Sequence, residues 1–458
     1  MKVIVLLTCL GLTTLQAQVA RWIFSTGSAS WVESPVKLQT FDGTDYRLLV
    51  IDPDIAFQTI DGFGGCFNER GWDALSYLSE SDRRQVLRDL FDPYDGCRFT
   101  LCRMPVGAND YSFDYYSLAE IPEDYDMQHF SMEREHRYLI PYIKAAMEFQ
   151  PDLKLFASPW SPPQWMKINR FYACQGEQET SRLRWEPQVL RAYALYFSKF
   201  IQAYRSEGIN LVQLHVQNEV DACQIFPSCL WSGEELTEFY RDYLIPRLDA
   251  DGIDIELWLG TINHGDIRKY ADVMFADPVC RARVTGVSYQ WDGKHAVADT
   301  RRKYPEKKLM QSENECGDGS NDVKAGLYTF SLMKKYFEGG VNSYIYWNMV
   351  LDESGMSTWG WKQNSMITVD RYRRQARYNF EFYVMKHFSR FIDPGAVRVK
   401  AIGYADDALA FRNPDGSIVV VMMNDSFNVK RVTVRLGKKM AQADLPSGSV
   451  STLVFREK

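Results

Sequence analysis

The segment "LVQLHVQNEVDAC", residues 211–223, begins as an apolar run and then places an amide beside a carboxylate, at Asn218 and Glu219. A short and nearly continuous apolar run is typical of a strand that is covered on both faces. A carboxylate at the end of such a strand is costly unless it is paired or used. The segment therefore predicts a buried strand whose end carries functional side chains.

Seven further segments have the same character. They are "FQTIDGFGG" (57–65), "CRFTLCRMPVG" (97–107), "LKLFASPW" (153–160), "IELWLGTIN" (255–263), "RVTGVSYQW" (283–291), "KLMQSENE" (308–315) and "VNSYIYWN" (341–348). Together with residues 210–219 they give eight candidate strands, most of them nearly continuous apolar runs. Such runs are expected in parallel sheets with helices on both faces.

Amphipathic helical patterns lie between these strands. In residues 79–91, Ser79 and Asp82 resemble a capping box, and residues 186–208 have a Pro in the first turn and a Gly just past the end,. Eight strands, each followed by a helix, predict an α/β fold, a (β/α)₈ TIM barrel, over residues 57–392. The alternative is a doubly wound open sheet, which is disfavoured because no Gly-rich phosphate loop follows any strand.

The two ends of the chain have a different pattern. Residues 18–56 and 393–458 alternate polar and apolar positions with period two, and turn signals such as "NPDG" interrupt them,. Both segments are predicted to form short antiparallel strands. We expect them to combine into one side β-sandwich, so that the chain starts and finishes in the same small domain.

The first residues have the pattern of a secretory signal peptide. A Lys is followed by an apolar run from Val3 to about Leu12 and by Ala17, so residues 1–17 are predicted to be removed and the protein to be secreted or periplasmic,. A lipoprotein anchor at Cys9 is disfavoured because Thr8 is a poor preceding residue. No other segment is apolar enough to cross a bilayer, and stable membrane insertion is not expected.

The net charge argues against one class of partner, and the spacing of the cysteines and histidines argues against a metal site. The net charge of −6 argues against nucleic acid, which requires a basic face,. Of the nine cysteines, Cys9 would be lost with the leader, and Cys223 with Cys229 could close a short disulfide loop,. The spacing of the cysteines and of the six histidines matches no zinc motif, so neither a metal nor another cofactor is expected.

Function is expected at the carboxyl ends of the barrel strands. Glu219 on the fourth strand and Glu313 on the seventh would face each other there, and aromatic residues lie near both of them: Trp160, Tyr289, Trp291 and Trp347. Glycoside hydrolysis uses two carboxyl groups, one as acid and one as nucleophile or base. A carbohydrate or glycoconjugate is therefore the predicted substrate.

Several motifs also carry a resemblance to a known family. "IDGFGG", "FASPWSPPQWMK", "HVQNEV", "QSENECG", "YWN" and "HFSRFIDPGAVRV" occur in this order, and each resembles the matching segment of glycoside hydrolase family 30. That family includes glucosylceramidases and β-1,6-glucanases. The resemblance implies a barrel with a side β-sandwich and a metal-free retaining mechanism.

The same resemblance implies roles for individual residues. Glu219 matches the general acid/base, Glu313 the nucleophile, and Asn218 the amide that binds the sugar 2-hydroxyl. Glu315 lies on the same strand face as Glu313, but Glu313 fits the family pattern better because Gly317 follows it by four residues. Arg103 matches an arginine that keeps the nucleophile ionised, or forms an ordinary salt bridge under the sheet.

Further residues are candidates for binding the sugar or supporting the site. Tyr289 could donate a hydrogen bond to Glu313. Trp160 and Trp347 could stack on a pyranose, with Trp347 favoured because Asn348 follows it at the strand end. Trp291, beside Tyr289 at the end of the sixth strand, is also assigned to the substrate site. Where the glucosylceramidases have an Asp that contacts distal hydroxyls, this chain has Glu69, which leaves the sugar undefined.

The predicted function is a secreted retaining β-glycosidase resembling glucosylceramidases. The long segments 354–364 and 171–182 could close one end of the cleft, which favours exo action. An endo-acting β-glucanase or xylanase is the alternative within this class. A catalytically inactive carbohydrate-binding barrel is the alternative from another class, and it is disfavoured because both carboxyl groups are present.

Overall fold

The computed structural model describes residues 19–456 except 175 and 177, so the predicted leader, residues 1–17, lies outside the described residues. The strands before the barrel are β1 (Val19–Ser25), β2 (Val32–Lys37), β3 (Gln39–Thr40) and β4 (Leu48–Thr59). The barrel strands are β5 (Gly62–Cys66), β6 (Leu101–Pro105), β7 (Lys154–Ser158), β8 (Leu211–His215), β9 (Glu256–Ile262), β10 (Val284–Gln290), β11 (Lys308–Glu313) and β12 (Ser343–Asn348).

These eight strands pair in parallel and close into a barrel, in which β12 pairs with β5. Seven of the eight predicted strands contain one of them and the first, 57–65, overlaps β5, so the predicted fold class is confirmed. The interior of the barrel is filled by large apolar side chains: Leu101, Phe156, Trp258, Met310 and Ile345. Because this cluster occupies the barrel axis, polar side chains from the strand ends are left at its mouth.

The helices surround the barrel. They are α1 (Glu69–Ser76), α2 (Glu80–Phe91), α3 (Glu133–Arg137), α4 (Leu139–Met147), α5 (Pro187–Ser206), α6 (Gly233–Phe239), α7 (Ile245–Ala250), α8 (Ala271–Ala276), α9 (Pro278–Arg283), α10 (Val297–Lys303), α11 (Val323–Gly339) and α12 (Phe380–Ser389). The backbone N–H of Asp82 donates to Ser79 Oγ at the start of α2, and α5 begins at Pro187, as the sequence signals predict,. None of the described helices has the length and hydropathy needed to cross a bilayer.

The remaining strands follow β12. A small sheet is formed by β13 (Val350–Asp352), β14 (Ile367–Asp370) and β15 (Gln375–Tyr378). The C-terminal strands are β16 (Val397–Gly403), β17 (Ala408–Arg412), β18 (Ile418–Asn424), β19 (Lys430–Leu436), β20 (Lys439–Leu445) and β21 (Ser449–Phe455).

Both ends of the chain meet in the side domain. Strands β1 to β4 and β16 to β21 form one ten-stranded sheet around its own apolar core, and β1 pairs with β21. The pairing is antiparallel except between β4 and β19, which run parallel. Strand β4 continues to Thr59 within this sheet, so residues 57–59, predicted in the first barrel strand, lie outside the barrel.

Candidate active site

Four barrel strands bring five polar side chains to the same end of the barrel. Arg103 lies on β6, Gln290 ends β10 and Glu313 ends β11. Asn218 and Glu219 come three and four residues after the end of β8. Because parallel strands point the same way, their carboxyl ends place these side chains around one cleft.

Arg103 and Glu313 form a buried ion pair. The Arg103 side chain is 0% exposed and its Nη1 lies 2.7 Å from Glu313 Oε2. The guanidinium also donates to Ser158 Oγ, at 2.8 Å from Nη2, and packs on the Trp160 ring at 4.4 Å from the centroid. A buried charge needs such a set of partners, because removal from water costs several kcal/mol. The pair fixes the position of the Glu313 carboxylate.

The amide of Asn218 has a defined orientation. Its Oδ1 accepts hydrogen bonds from Arg103 Nη2 at 2.7 Å and from Thr261 Oγ1 at 3.1 Å. Arginine has donors only, so the oxygen must face it and Nδ2 must face the other way. Asn218 also lines the cleft. Its Nδ2 is therefore available as a donor to a bound ligand.

Glu219 is held in an unusual backbone conformation at the cleft. Its φ is +49°, in the left-handed region that a non-glycine residue adopts at a cost,. Its backbone N–H donates to the carbonyl of Thr261 at 3.0 Å. Its side chain is buried, and burial together with the charge of Glu313 raises the pKa of Glu219 to about 8,. The group is therefore protonated at neutral pH.

Glu313 keeps the negative charge of the pair. Burial raises its pKa, but Arg103 opposes that effect, and hydrogen bonds from Trp291 and Gln290 also favour the ionised form,. Of these two donors, Gln290 also reaches Glu219: its Nε2 lies 3.1 Å from Glu219 Oε1. Because Glu313 accepts more hydrogen bonds and is the carboxyl group that pairs directly with Arg103, the shared proton belongs on Glu219.

The separation of the two carboxyl groups is limited by Gln290. Its Nε2 lies 3.1 Å from Glu219 Oε1 and 3.1 Å from Glu313 Oε2. The two oxygens are therefore no further apart than twice that distance. For this pair of oxygens the limit, about 6.2 Å, is nearer to the spacing of about 5–5.5 Å between the carboxyl groups of retaining glycosidases than to most of the range of about 6.5–9.5 Å of inverting ones,.

The cleft around these groups has a volume of about 650 Å³, which is within the range of ligand sites,. Its lining combines aromatic and polar side chains: Asp110, Trp160, Asn218, Glu219, Gln224, Phe226, Asn263, Trp291, Glu313, Asp318, Trp361, Lys362 and Gln363, with Gly317. Among the described residues, no three His, Cys, Asp or Glu side chains are grouped so that they could hold a metal ion.

The domain composition of the chain decides its family. Residues 60–392 match the family model described as "Glycosyl hydrolase family 30 TIM-barrel domain", and residues 395–453 match the "Glycosyl hydrolase family 30 beta sandwich domain". The chain belongs to glycosyl hydrolase family 30. This membership confirms the resemblance and makes the protein a glycoside hydrolase.

Relatives in this family span most of the chain. The lysosomal acid glucosylceramidase of Mus musculus is 28% identical over 404 residues, which are 83% of this chain and 77% of the relative. The endo-1,6-beta-D-glucanase neg1 of Aspergillus fumigatus is 26% identical over 425 residues, 87% of this chain and 85% of the relative. The crystal structure of SrfJ from Salmonella typhimurium has a TM-score of 0.89 at 30% identity and covers 96% of this chain and 100% of that one.

Two predicted contacts of this family 30 enzyme differ from the structure. Tyr289 does not donate to Glu313, because its hydroxyl is buried and bonds Thr300 Oγ1 at 2.6 Å. Successive residues of a strand point to opposite faces, so the side chain that faces the cleft is the next one, Gln290. Glu69 is also outside the cleft, because it is fully buried and bonded to Arg134 at 2.7 Å.

The carboxyl group expected to contact distal hydroxyls of the sugar was that of Glu69. Asp110, in the loop after β6, is a carboxyl group that does reach the cleft. Asp110 lines the cleft and its Oδ1 is buried without a hydrogen-bond partner among the described residues. Burial, with the charges of Glu313 and Glu219, holds the pKa of Asp110 well above its usual range,. An unpaired buried oxygen on a cleft wall is a candidate hydrogen-bond acceptor for a polar ligand.

The aromatic residues of the cleft divide into two groups. Trp160 and Trp291 line it, and Trp291 Nε1 lies 3.4 Å from Glu313 Oε1. Trp347 is fully buried against Trp160, at 5.2 Å between ring centroids, so it offers no exposed face for a sugar and the predicted stacking is wrong for this residue. Asn348 is buried as well, and its Nδ2 donates to Gln363 Oε1 at 2.9 Å. Asn348 therefore contacts the cleft through Gln363, which lines it.

The second carboxylate of the seventh strand is engaged elsewhere. Glu315 pairs with Lys294 at 2.7 Å and accepts a hydrogen bond from the Tyr328 hydroxyl at 2.6 Å. Glu313, by contrast, lines the cleft. The structure therefore separates the two candidates that the strand alternation leaves on one face.

Two loops form one wall of the cleft. Phe226 and Trp361 come from different loops, and their rings are 5.4 Å apart. The loop of Phe226 is fixed by a disulfide between Cys174 and Cys223, so the suggested pairing of Cys223 with Cys229 is wrong, and Cys229 is a buried free thiol. The residues joined by this bond are 49 positions apart. The wall is thus anchored to the segment 171–182 as well as to the loop after β8.

Four residues that bond the candidate site groups or line the cleft were not predicted from the sequence: Gln290, Asp110, Thr261 and Ser158. For Gln290 a signal existed, since strand alternation places it on the face opposite to Tyr289. Thr261 near the end of β9 and Ser158 at the end of β7 also occupy strand ends. Asp110 lies in a loop, where periodicity carries no information.

Proposed function

We propose that the protein is an exported retaining β-glycosidase that acts on glucosylceramide-like β-glycosides and releases single sugars from the end of the substrate. The observation that carries the proposal is the pair of carboxyl groups bridged by one amide nitrogen at 3.1 Å from each. A short separation is required for direct attack of one carboxylate on the anomeric carbon. A longer one would leave room for a water molecule.

In the first step Glu219 donates its proton to the glycosidic oxygen while Glu313 attacks the anomeric carbon. The carbon–oxygen bond to the leaving group breaks, its electron pair and the proton leave with the alcohol, and an ester forms between the sugar and Glu313. Oε2 of Glu313 is held by Arg103 and Gln290, so Oε1 is the attacking atom.

In the second step a water molecule enters on the side of the departed alcohol. Glu219, now ionised, takes its proton, and the hydroxide equivalent displaces Glu313 from the sugar. Asn218 Nδ2 donates to the 2-hydroxyl, a contact that strengthens as positive charge develops at the anomeric carbon. Asp110 accepts from distal hydroxyls, and the part of Trp160 that lines the cleft contacts the ring.

The pH dependence of kcat/KM follows from these protonation states. Activity requires Glu219 protonated and Glu313 ionised. Burial raises the pKa of Glu219 to about 8 and raises that of Glu313 above its ordinary value. We therefore expect a bell-shaped profile whose alkaline limb lies near pH 8 and whose acidic limb lies above the ordinary range of a glutamate.

The alkaline limb has a direct check. With an aryl glycoside whose leaving group does need a proton, kcat/KM reports the first step alone, and the limb is expected to disappear in the Glu219→Ala variant because its residual rate no longer depends on this acid. An unchanged limb in that variant would remove Glu219 as the acid.

Exo action is supported by the wall of the cleft. The contact between Phe226 and Trp361 closes one side, and the disulfide of Cys223 keeps the first of these loops in place. A closed end accommodates a terminal sugar but not the middle of a polymer. We expect release of a monosaccharide as the first product from glucosylceramide or a nitrophenyl β-glucoside, and little cleavage of β-1,6-glucan.

The opposite product pattern would support endo action. Oligosaccharides released early from β-1,6-glucan would contradict the exo proposal and favour the activity named for the Aspergillus relative. Opening the wall provides a second check. Phe226→Ala should increase the activity on long β-glucans relative to nitrophenyl glucoside if this contact limits access.

Export is supported by two features of the chain. Residues 1–17 have the composition of a secretory leader, and a disulfide joins Cys174 to Cys223. Disulfides persist mainly in oxidising compartments. The N-terminal residue of the protein recovered outside the cytoplasm should be Gln18, and an intact N-terminus on that protein would contradict cleavage.

A further inference from the structure

The amide of Gln290 lies between the two carboxyl groups and the substrate-binding amide. Its Nε2 is 3.1 Å from Glu219 Oε1, 3.1 Å from Glu313 Oε2 and 3.1 Å from Asn218 Oδ1. The side chain is fully buried. Within the described part of the chain, Gln290 is the residue that donates a hydrogen bond to both carboxyl groups.

The orientation of this amide is determined by its oxygen. Gln290 Oε1 accepts from Ser312 Oγ at 2.9 Å and from Arg103 Nη1 at 3.3 Å. Because a guanidinium cannot accept a hydrogen bond, a reversed amide would place two donors against each other. The nitrogen must therefore face the two carboxyl groups.

We propose that Gln290 is a positioning residue whose hydrogen bond follows the negative charge from Glu313 to Glu219 during the first step, an inference that rests on the proposed function. At the start the charge is on Glu313. When the ester forms, Glu313 becomes neutral and Glu219 becomes the anion, because its proton has left with the alcohol. One amide group in reach of both oxygens stabilises the charge in each place without moving the backbone.

The amide of Gln290 has fewer hydrogens than nearby acceptor oxygens, so its hydrogen bonds must be shared. An amide nitrogen carries two hydrogens but has three acceptor oxygens at equal distance, so its hydrogen bonds are divided between them,. As charge develops on Glu219, that oxygen becomes the stronger acceptor. Arg103 does not reach Glu219 with a hydrogen bond in the described residues, so it cannot take over this role.

The chemical type of the side chain matters too. A primary amide does not ionise in the working pH range, so Gln290 adds no proton to the site. It lowers the pKa of both Glu219 and Glu313, since its hydrogen bond favours the ionised form of each,. Removal of the amide should therefore move both limbs of the pH profile in the same direction, towards higher pH.

The test uses Gln290→Met, which keeps the length of the side chain and removes the donor. We expect kcat to fall by about 10- to 100-fold, KM to change much less, and both limbs of the kcat/KM profile to move up by about one pH unit. If the Met variant does not fold, Gln290→Asn keeps an amide that is too short to reach both carboxyl groups, and the same shifts are expected.

Tyr289→Phe is the matched control. Tyr289 is the preceding residue of the same strand and its hydroxyl bonds Thr300, away from the cleft. Its variant should reproduce the wild-type limbs. A folded Gln290 variant with lower activity but unmoved limbs would overturn the inference. Loss of packing would explain such a result, because packing alone does not change the pKa of both carboxyl groups.

The outcome is distinguishable from failure of the proposed function. If Glu313→Gln retained turnover, the proposed function would fail whatever the Gln290 variants did. If Glu313→Gln is inactive and the limbs of Gln290→Met stay in place, only the role assigned to Gln290 is contradicted.

Discussion

Replacement of Glu313 by Gln is expected to lower kcat by at least about 10⁴-fold. The neutral amide has nearly the same shape but cannot attack the anomeric carbon, so the ester does not form. The measurement is the steady-state rate on an activated aryl β-glucoside, for which the first step needs no acid. Circular dichroism should show the native fold, since the Gln oxygen can still accept from Arg103.

Glu315→Gln is the matched control for this variant. Glu315 lies two residues further along the chain and is held by Lys294 and Tyr328 outside the cleft lining. Its replacement should leave kcat unchanged. If instead the Glu315 variant were inactive and the Glu313 variant active, the nucleophile would have been assigned to the wrong carboxylate.

Replacement of Glu219 by Ala is expected to lower kcat about 10²- to 10⁴-fold on substrates with poor leaving groups, because nothing then protonates the departing oxygen. An activated aryl glycoside should still form the ester with Glu313. The second step becomes slow, since no base deprotonates the water. Azide needs no deprotonation and fits the space left by the side chain, so it should restore turnover at least about tenfold.

The configuration of the azide product adds a sharp check. Attack on the ester from the side of Glu219 gives a β-glycosyl azide. In a Glu313→Ala variant, azide would enter from the opposite side and give the α-azide. A Glu219→Ala variant that azide does not accelerate, or that yields the α-azide, would contradict the acid/base role.

The fold could be predicted because burial leaves a strong signal in the sequence. Each of the eight apolar runs overlaps a barrel strand, and the two alternating ends form one sheet. The residue at which the barrel begins could not be predicted in this way. Residues 57–59 are continuous with the apolar run that follows, but they belong to β4, whose pairing with β16 and β19 depends on strands far away in the chain.

Site residues could be predicted where they lie at or near the carboxyl end of a barrel strand, because parallel strands bring these ends together. Arg103, Asn218, Glu219 and Glu313 are brought together in this way. Tyr289 was predicted to bond Glu313, but the structure turns its hydroxyl to Thr300 and strand alternation then places the neighbouring Gln290 at the cleft,.

The other differences depend on contacts between distant segments. Glu69 is removed from the cleft by Arg134, which lies 65 residues further along the chain. Trp347 is covered by Trp160, which follows β7, and Cys223 is bonded to Cys174 from a different loop. No local pattern predicts such contacts, because the spacing between the partners is set by the packing of the barrel.

The central claim is that two carboxyl groups act by double displacement, with Glu313 bonded to the sugar between the steps. Proton NMR of the reaction with a nitrophenyl β-glucoside tests this most directly, because the anomeric signal of the first sugar released can be observed before mutarotation. The account predicts that β-glucose appears first and that the α-anomer accumulates only later. Appearance of the α-anomer first would contradict it.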